Sequence, residues 1–447
     1  MTFAPTIGLI AEYNPFHNGH VYQLAKLREL HPDAAIVVIM SGSFTQRGGA
    51  AIADKWTRAA WAVRGGADLV LELPYAFACR SAEHFASGGV QCLAGLGCID
   101  ALAFGAEAEH IEPLEKAAAC MDDAALQEAL HARIAGGASY AAAMATEVAA
   151  RTGVAAEVLR APNNILGMEY LRAVRRFAPE METLLVQRVG TDYHDTDMHG
   201  RFASASAIRA ALEGIYGEIP STAQSDLSNA LPSPLLPSAS LTAPSEREPY
   251  IALQRVMPED CLAALMAALP DRLPRQSLLL RPLLSRLLLL DAASLSAVCG
   301  MGEGLEHRLM EKAQMARSFE GLVGAMATRR YPRSRIARLL VHVLTGFTAE
   351  AAAAFDATGP RYLRVLAMNA RGARLLHRAK KTARLPIITK TSQFLKSKDM
   401  LRTWEDLTPL QQMLLFDVRA TELREMAVPE RGRAGADFRT SPLYVKQ

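Results

Sequence analysis

The 447-residue chain is half hydrophobic, 21% charged and close to neutral at +3, long enough for two or three domains that each bury a core. Charge or proline breaks its apolar runs short of the ~20 residues a membrane-spanning helix needs, and the start MTFAPTIGL lacks the basic, apolar and small-residue order of an export signal. Six cysteines (Cys79, Cys92, Cys98, Cys120, Cys261, Cys299) form no C-x-x-C pair, which argues against a disulfide framework or zinc module. The expectation is a cytoplasmic protein with free thiols, no membrane association and no obligate protein partner.

From Thr6 to Val189, short apolar runs (TIGLIAEY, AAIVVIM, DLVLELP, DALAFG, TLLVQRV) alternate with stretches of helical period such as HVYQLAKLREL and DKWTRAAWAVRG. This predicts an α/β fold, a Rossmann-like parallel sheet with helices on both faces. The first run ends in AEYNPFHNGHVYQL. In an open parallel sheet, ligands sit beyond the carboxyl ends of the strands. There Pro15 stops the strand, Gly19 admits a close ligand, and a helix beginning near Asn18 points its amides and positive dipole end into the crevice. His17 and His20, three apart, can both donate hydrogen bonds to phosphate oxygens; capping the helix or packing in the core is the competing use. The second run leads into SGSFTQRGGAAIADKW, too polar and glycine-rich for a regular element and expected to close over the reactants. Gln46, Arg47 and Lys55 are its chemical candidates, Lys55 or Arg47 offsetting negative charge, with an exposed helix position as the alternative for Lys55. Asp54 is expected to cap the next helix.

Residues 217–248 are rich in Ser and Pro and read as a linker or insertion. The domain division expected is 1–216, this linker, and 249–447, where leucine- and arginine-rich segments such as RSRIARLLVHVLTGF and YLRVLAMNARGARLLHRA predict mostly helix. From Glu303 onward there are about 26 Lys and Arg against about 14 Asp and Glu, a local excess suited to a polyanion, although a solvated arginine-rich surface has the same composition.

HNGH resembles the H-x-G-H signature of the nucleotidylyltransferase superfamily. RFASASAIRAAL resembles its second signature, which supplies serine and basic donors to a triphosphate, here Ser204, Ser206 and Arg209. GLIAEYNPFHNGH, GSFTQRGGAAIADKWTRA, GADLVLELP, FGAE, PNNILGMEYL, QRVGTDYHD, EGLEHRL, RRYPRSRIARLL and YLRVLAMNARG extend the likeness over most of the chain. Together they resemble the bacterial tRNA(Met) cytidine acetate ligases.

That resemblance implies ATP-dependent formation of acetyl-adenylate, with Mg²⁺ on the leaving pyrophosphate, and acetyl transfer to the wobble cytidine in the anticodon region of elongator tRNA(Met). Its ATP site would comprise Ile10, Ala11, Glu12, Tyr13, Asn14, Pro15, Phe16, His17, Asn18, Gly19, His20, Val21, Tyr22 and Gln23, then Gly105, Asn163 or Asn164, and Arg188. The catalytic set would be His17, His20, Lys55, Ser206 and Arg209, with no side-chain metal ligands. Arg329, Arg330, Arg333, Arg335 and Arg338 around Tyr331 would hold RNA backbone and stack a base. Two features depart from the family: the 217–248 stretch has no counterpart, and FGAE has alanine where serine is usual. A small-acid ligase without RNA would need no arginine clusters. A non-catalytic RNA-binding protein would need no HNGH.

Overall fold

The computed structural model describes residues 4–188, 200–215, 244–269, 271–430, 432 and 434–446, without the side chains of 244–248. Strands β1 (Thr6–Ala11), β2 (Ala35–Ser41), β3 (Leu69–Leu73), β4 (Ala101–Ala106) and β5 (Glu182–Gln187) stand in the order β5-β4-β1-β2-β3, all parallel. Alternate residues of β2 enter opposite cores. Val37 and Ile39 join the core of Phe85, Val90 and Met168, while Ile36, Val38 and Met40 join that of Leu24, Leu27 and Trp61. Burial on both faces is why AIVVIM is an unbroken apolar run. Helices α1 (Asn18–Leu30) and α2 (Lys55–Arg64) cover one face, and α3 (Pro162–Phe177), which begins at a proline, covers the other.

The sheet continues into the C-terminal part. β6 (Leu363–Met368) pairs antiparallel with β3, placing Arg364 opposite Glu72, and β7 (Ile387–Ile388) and β8 (Leu443–Tyr444) add parallel to β6. The sheet is thus mostly parallel, with one antiparallel junction. YLRVLAMN, expected as helix, is strand because Leu363 and Val365 enter one core and Leu366 and Ala367 the other; so short an apolar run carries no period that separates the two states. The remainder of the C-terminal part is mostly helical. Of the expected linker only 244–248 are described, and they begin the helix Pro244–Val256, whose Leu253 and Val256 share a core with Leu212 and Ile215. The stretch VGTDYHD lies outside the described residues. All six cysteines are free thiols, and no described helix is long and apolar enough to cross a membrane.

Candidate nucleotide site

His17 is the N-cap of α1, its Nδ1 accepting from the Gly19 amide at 3.1 Å, and its own amide donates to Nδ1 of His20 at 3.2 Å. Two histidines thus occupy the places a capping box gives to Ser or Thr and Glu or Gln. Burial, with Arg188 and Arg209 nearby, pushes His17 down to about 3; burial, His17 and Arg188 hold His20 well below the usual histidine value. Both rings are therefore neutral, and because each Nδ1 accepts an amide proton, the ring proton sits on Nε2. Capping and donating, alternatives in the sequence, are divided between two nitrogens of one ring. The ring centroids lie 3.8 Å apart, and Tyr13 packs against His20 at 4.7 Å.

Long-range nitrogen–proton NMR is expected to show both rings as Nε2–H tautomers between about pH 5 and pH 8; a ring titrating near 6.5 would contradict the arrangement. The folded values lie below the unfolded one, so this contribution to stability is present above ~6.5 and is lost as pH falls toward the folded values.

The rings open on a crevice lined by His17, Gly19, His20, Tyr22 and Gln23, by Gly105 at the end of β4, by Val186, Gln187 and Arg188 at the end of β5, and by Phe202 and Ala203. Gln187 and Phe202 were missed in the sequence, though each adjoins a recognised motif. The other members of the expected ATP segment support the crevice from behind. Ile10 packs on Gly89, Tyr13 and Phe16 are buried, Asn14 Oδ1 accepts from the Ile52 amide at 2.7 Å, and Asn18 donates to the carbonyls of Arg201 and Arg255. Pro15 is buried with them, while Ala11 and Val21 pack against the core on the α1 side.

A Cβ on Gly105 would stand 3.5 Å from Gln23 Nε2 and 3.6 Å from Arg188 Cγ, ordinary contacts. The fold itself therefore tolerates a side chain there. Gly105→Ala is expected to unfold like the wild type yet weaken ATP binding about tenfold in calorimetric titration, the usual scale for one intruding methyl. Unchanged affinity would move the nucleotide off this strand end.

The second signature is tied to the first. Helix α4 (Ala205–Ile215) is capped by Ser204, whose Oγ accepts from Ala207 N at 3.0 Å. Arg209 donates to the Asn14 carbonyl at 2.6 Å and to Ser206 Oγ at 3.3 Å. Ser206 is exposed beside it.

Asn164 is corrected from a nucleotide contact to a bracket. Its Oδ1 accepts from the amides of Glu107 (2.9 Å) and Ala108 (3.0 Å), and its Nδ2 donates to the Val158 carbonyl (2.8 Å), so it shapes the turn after β4. Glu107 in return accepts from Asn163 Nδ2 at 2.6 Å and Asn164 N at 3.0 Å, a carboxylate at the start of α3 where the dipole favours it.

Lys55 is also corrected. Its Nζ is fully buried, 2.7 and 3.0 Å from the two Glu72 oxygens and 2.7 Å from Asp437 Oδ1. An ammonium has three N–H groups, and three acceptors surround it, so nothing is left for phosphate or acetate. Arg364 Nη1 reaches Glu72 at 3.1 Å and its Nη2 reaches Asp437 at 2.5 Å, closing a buried cluster of two cations and two anions.

The loop after β2 is a bracket rather than a lid, since most of Ser41 to Ala53 is buried and Arg47 is its exposed tip. Side chains hold its backbone. Arg58, fully buried, donates to the carbonyls of Ala53 (3.0 Å), Ser41 (3.0 Å) and Glu12 (2.6 Å); Arg424 donates to Ala51 O at 2.9 Å. Asp54 caps α2 through Thr57 N at 2.9 Å, as its position predicted.

The model of the HIGH nucleotidyl transferase family matches residues 4–436. The tRNA(Met) cytidine acetate ligase of Syntrophotalea carbinolica is 36% identical over 453 residues, covering 98% of each chain. That of Acetivibrio thermocellus is 32% identical over 97% of this chain and 98% of its own. The chain belongs to this ligase family. The crystal structure of Thermotoga maritima TmcAL bound with alpha-thio ATP matches it with a TM-score of 0.81 at 28% identity, over 99% of this chain and 100% of that one; the apo form of that protein gives 0.83.

The arginines expected to give the ligase its RNA surface lie on and before α5 (Arg333–Thr345) and divide into three groups. Arg329 and Arg333 are exposed. Arg330 pairs with Glu303 at 2.5 Å, and Arg335 lies 4.7 Å over the Tyr331 ring. Tyr331 is buried and donates its hydroxyl to Glu303, so it offers no open face to a base. Arg338 is corrected out of the RNA set, since it is half-buried and donates inward to the Gln46 carbonyl at 3.1 Å.

A larger cavity of about 490 Å³ lies at the start of α2, beside Trp61, Leu265 and Arg424. Arg424 is committed to the carbonyls of Ala51 and Ile52 and to Glu425, and Arg272 pairs with Glu430.

Proposed function

We propose that the ligase binds ATP in the crevice at the end of β1, joins acetate to its α-phosphate, and passes the acetyl group to the exocyclic amine of the wobble cytidine in elongator tRNA(Met). The observation that carries this is the pair of neutral imidazoles lining the crevice, each with Nδ1 taken by a backbone amide, at the start of a helix near Arg188 and Arg209. An acetate oxygen attacks the α-phosphorus as the bond to the β-phosphate breaks, and pyrophosphate leaves. Acetate is already an anion, so no general base is needed. His17, His20, Arg188, Arg209 and Ser206 orient the triphosphate and meet the charge that grows on the leaving oxygens. The cytidine amine then attacks the acetyl carbon, the bond to AMP breaks, and the nitrogen gives up one proton to solvent. That amine is weak because its lone pair is delocalised, and the mixed anhydride supplies the driving force. A base must leave its stack to reach such a pocket.

No carboxylate lines the crevice among the described residues, and its histidines present N–H donors rather than lone pairs. Mg²⁺ accompanying the nucleotide would be held by phosphate oxygens and water. Of the two asparagines, Asn163 is carried forward as a nucleotide contact. ATP, acetate and tRNA place the work in the cytoplasm.

The test is acetate-dependent exchange of labelled pyrophosphate into ATP, followed by nucleoside analysis of the tRNA. Exchange with acetylcytidine in methionine tRNA supports the reading. Exchange without modified tRNA refutes the RNA step. Arg329 and Arg333 changed together to Ala are expected to weaken tRNA binding and flatten its salt dependence by up to about two units of slope, read by filter retention at several salt concentrations. Unchanged binding would place the RNA elsewhere.

A further inference from the structure

Helix α5 reaches the loop after β2 without lining the crevice. Arg338 Nη1 donates to the Gln46 carbonyl at 3.1 Å, and the amide of that same Gln46 donates to Glu12 Oε1 at 2.6 Å. Glu12 is the first residue beyond β1, and its carbonyl accepts from Arg58 at 2.6 Å. Its main chain and side chain are thus both fixed just before the turn that delivers His17 and His20. The seam between loop and helix is tight. Gly48 has φ +81, and a Cβ there would stand 2.5 Å from Arg338 N and 2.7 Å from Ala337 C, both backbone atoms that cannot move aside. Gln276 clamps the same loop from another side, accepting from Ala50 N at 3.1 Å and donating to Gly48 O at 3.0 Å.

We infer that Arg338 is a positioning residue for the crevice: through the main chain of Gln46 it holds the Glu12 carboxylate, and with it the turn carrying the two histidines. The inference rests on the crevice being the nucleotide site. Arg338 belongs to the same helix as the exposed Arg333 but faces the other way, so one element serves two surfaces. Losing its donor frees Gln46 to shift, the shift passes to Glu12, and donors aimed at a transition state tolerate little displacement; an error near 1 Å costs on the order of a hundredfold in rate. The RNA-facing charges stay where they are.

The experiment uses full-length Arg338→Met, Arg338→Lys and Gly48→Ala. Acetate-dependent pyrophosphate exchange is resolved into kcat and KM for ATP, beside tRNA retention at several salt concentrations and thermal unfolding. Arg338→Met is expected to lower kcat about tenfold or more, with tRNA affinity within about twofold and its salt slope unchanged. Arg338→Lys should recover much of the rate, since one ammonium N–H can reach the same carbonyl. Gly48→Ala, which opens the seam from the loop side, should reproduce the kcat loss and keeps the inference testable if Arg338→Met does not fold. Wild-type exchange with both Arg338→Met and Gly48→Ala unchanged overturns the inference alone. Intact exchange with weaker tRNA binding and a slope flatter by about one unit in Arg338→Met also overturns it and returns Arg338 to the RNA surface. A wild-type protein that exchanges no pyrophosphate refutes the reading of the crevice and the inference with it.

Discussion

His17→Asn is expected to keep the stability of the wild-type protein and to lose about a hundredfold or more in acetate-dependent pyrophosphate exchange. The two functions of His17 reside on different atoms. Its Nδ1 caps α1 by accepting from Gly19 N, and asparagine is among the best residues for that task, with an oxygen at nearly the same distance from the backbone. Its Nε2–H extends beyond the reach of an asparagine side chain, and one donor aimed at developing phosphate charge is worth about two to three orders of magnitude in rate. His17→Ala removes both functions, adding about 1 kcal/mol of lost capping to the same kinetic defect, and so cannot separate them. His20→Ala should show the kinetic loss as well, since His20 lines the crevice beside His17. Exchange at the wild-type rate in His17→Asn would sink the donor role and leave His17 as a cap alone.

What could be read in the sequence depended on how local the physics was. The parallel sheet around the crevice follows from alternating apolar runs and helical stretches, and HNGH announces its position because strand end, proline, glycine and helix start adjoin along the chain. Asp54 is a cap for the same reason. The partners of Lys55 are not legible in the sequence, because its environment is assembled from afar. Glu72 lies on a neighbouring strand, while Arg364 and Asp437 come from the C-terminal part. No window around DKW contains them. Asn164 shows the same limit at shorter range, since only the folded chain brings Glu107 and Ala108 amides to its side chain. Arg338 illustrates a different one. Helical spacing groups it with Arg335, but charge composition does not say which arginine faces water and which faces a loop carbonyl.

Lys55→Met is expected to destabilise the protein by about 3–5 kcal/mol, because removing one member of a buried ionic cluster leaves an uncompensated charge where water cannot reach it. Glu72 and Asp437 would then share Arg364 alone, with Lys55 Nζ no longer 2.7 Å from each. The measurement is the urea midpoint, with pyrophosphate exchange recorded per folded molecule under native conditions. A second substitution discriminates the causes. Lys55→Met combined with Asp437→Asn removes one cation and one anion together and should recover a good part of the lost stability, a coupling expected only between groups in direct contact. A phosphate-binding lysine would behave otherwise, because neutralising Asp437 restores nothing to a triphosphate. The cluster also joins distant parts of the chain, with α2 and β3 near its start and β6 and the short helix Ala436–Arg439 near its end. Shortening the chain before Asp437 removes one anion of the cluster and should also lower the urea midpoint. A Lys55→Met protein that unfolds like the wild type yet exchanges no pyrophosphate would return Lys55 to the reaction.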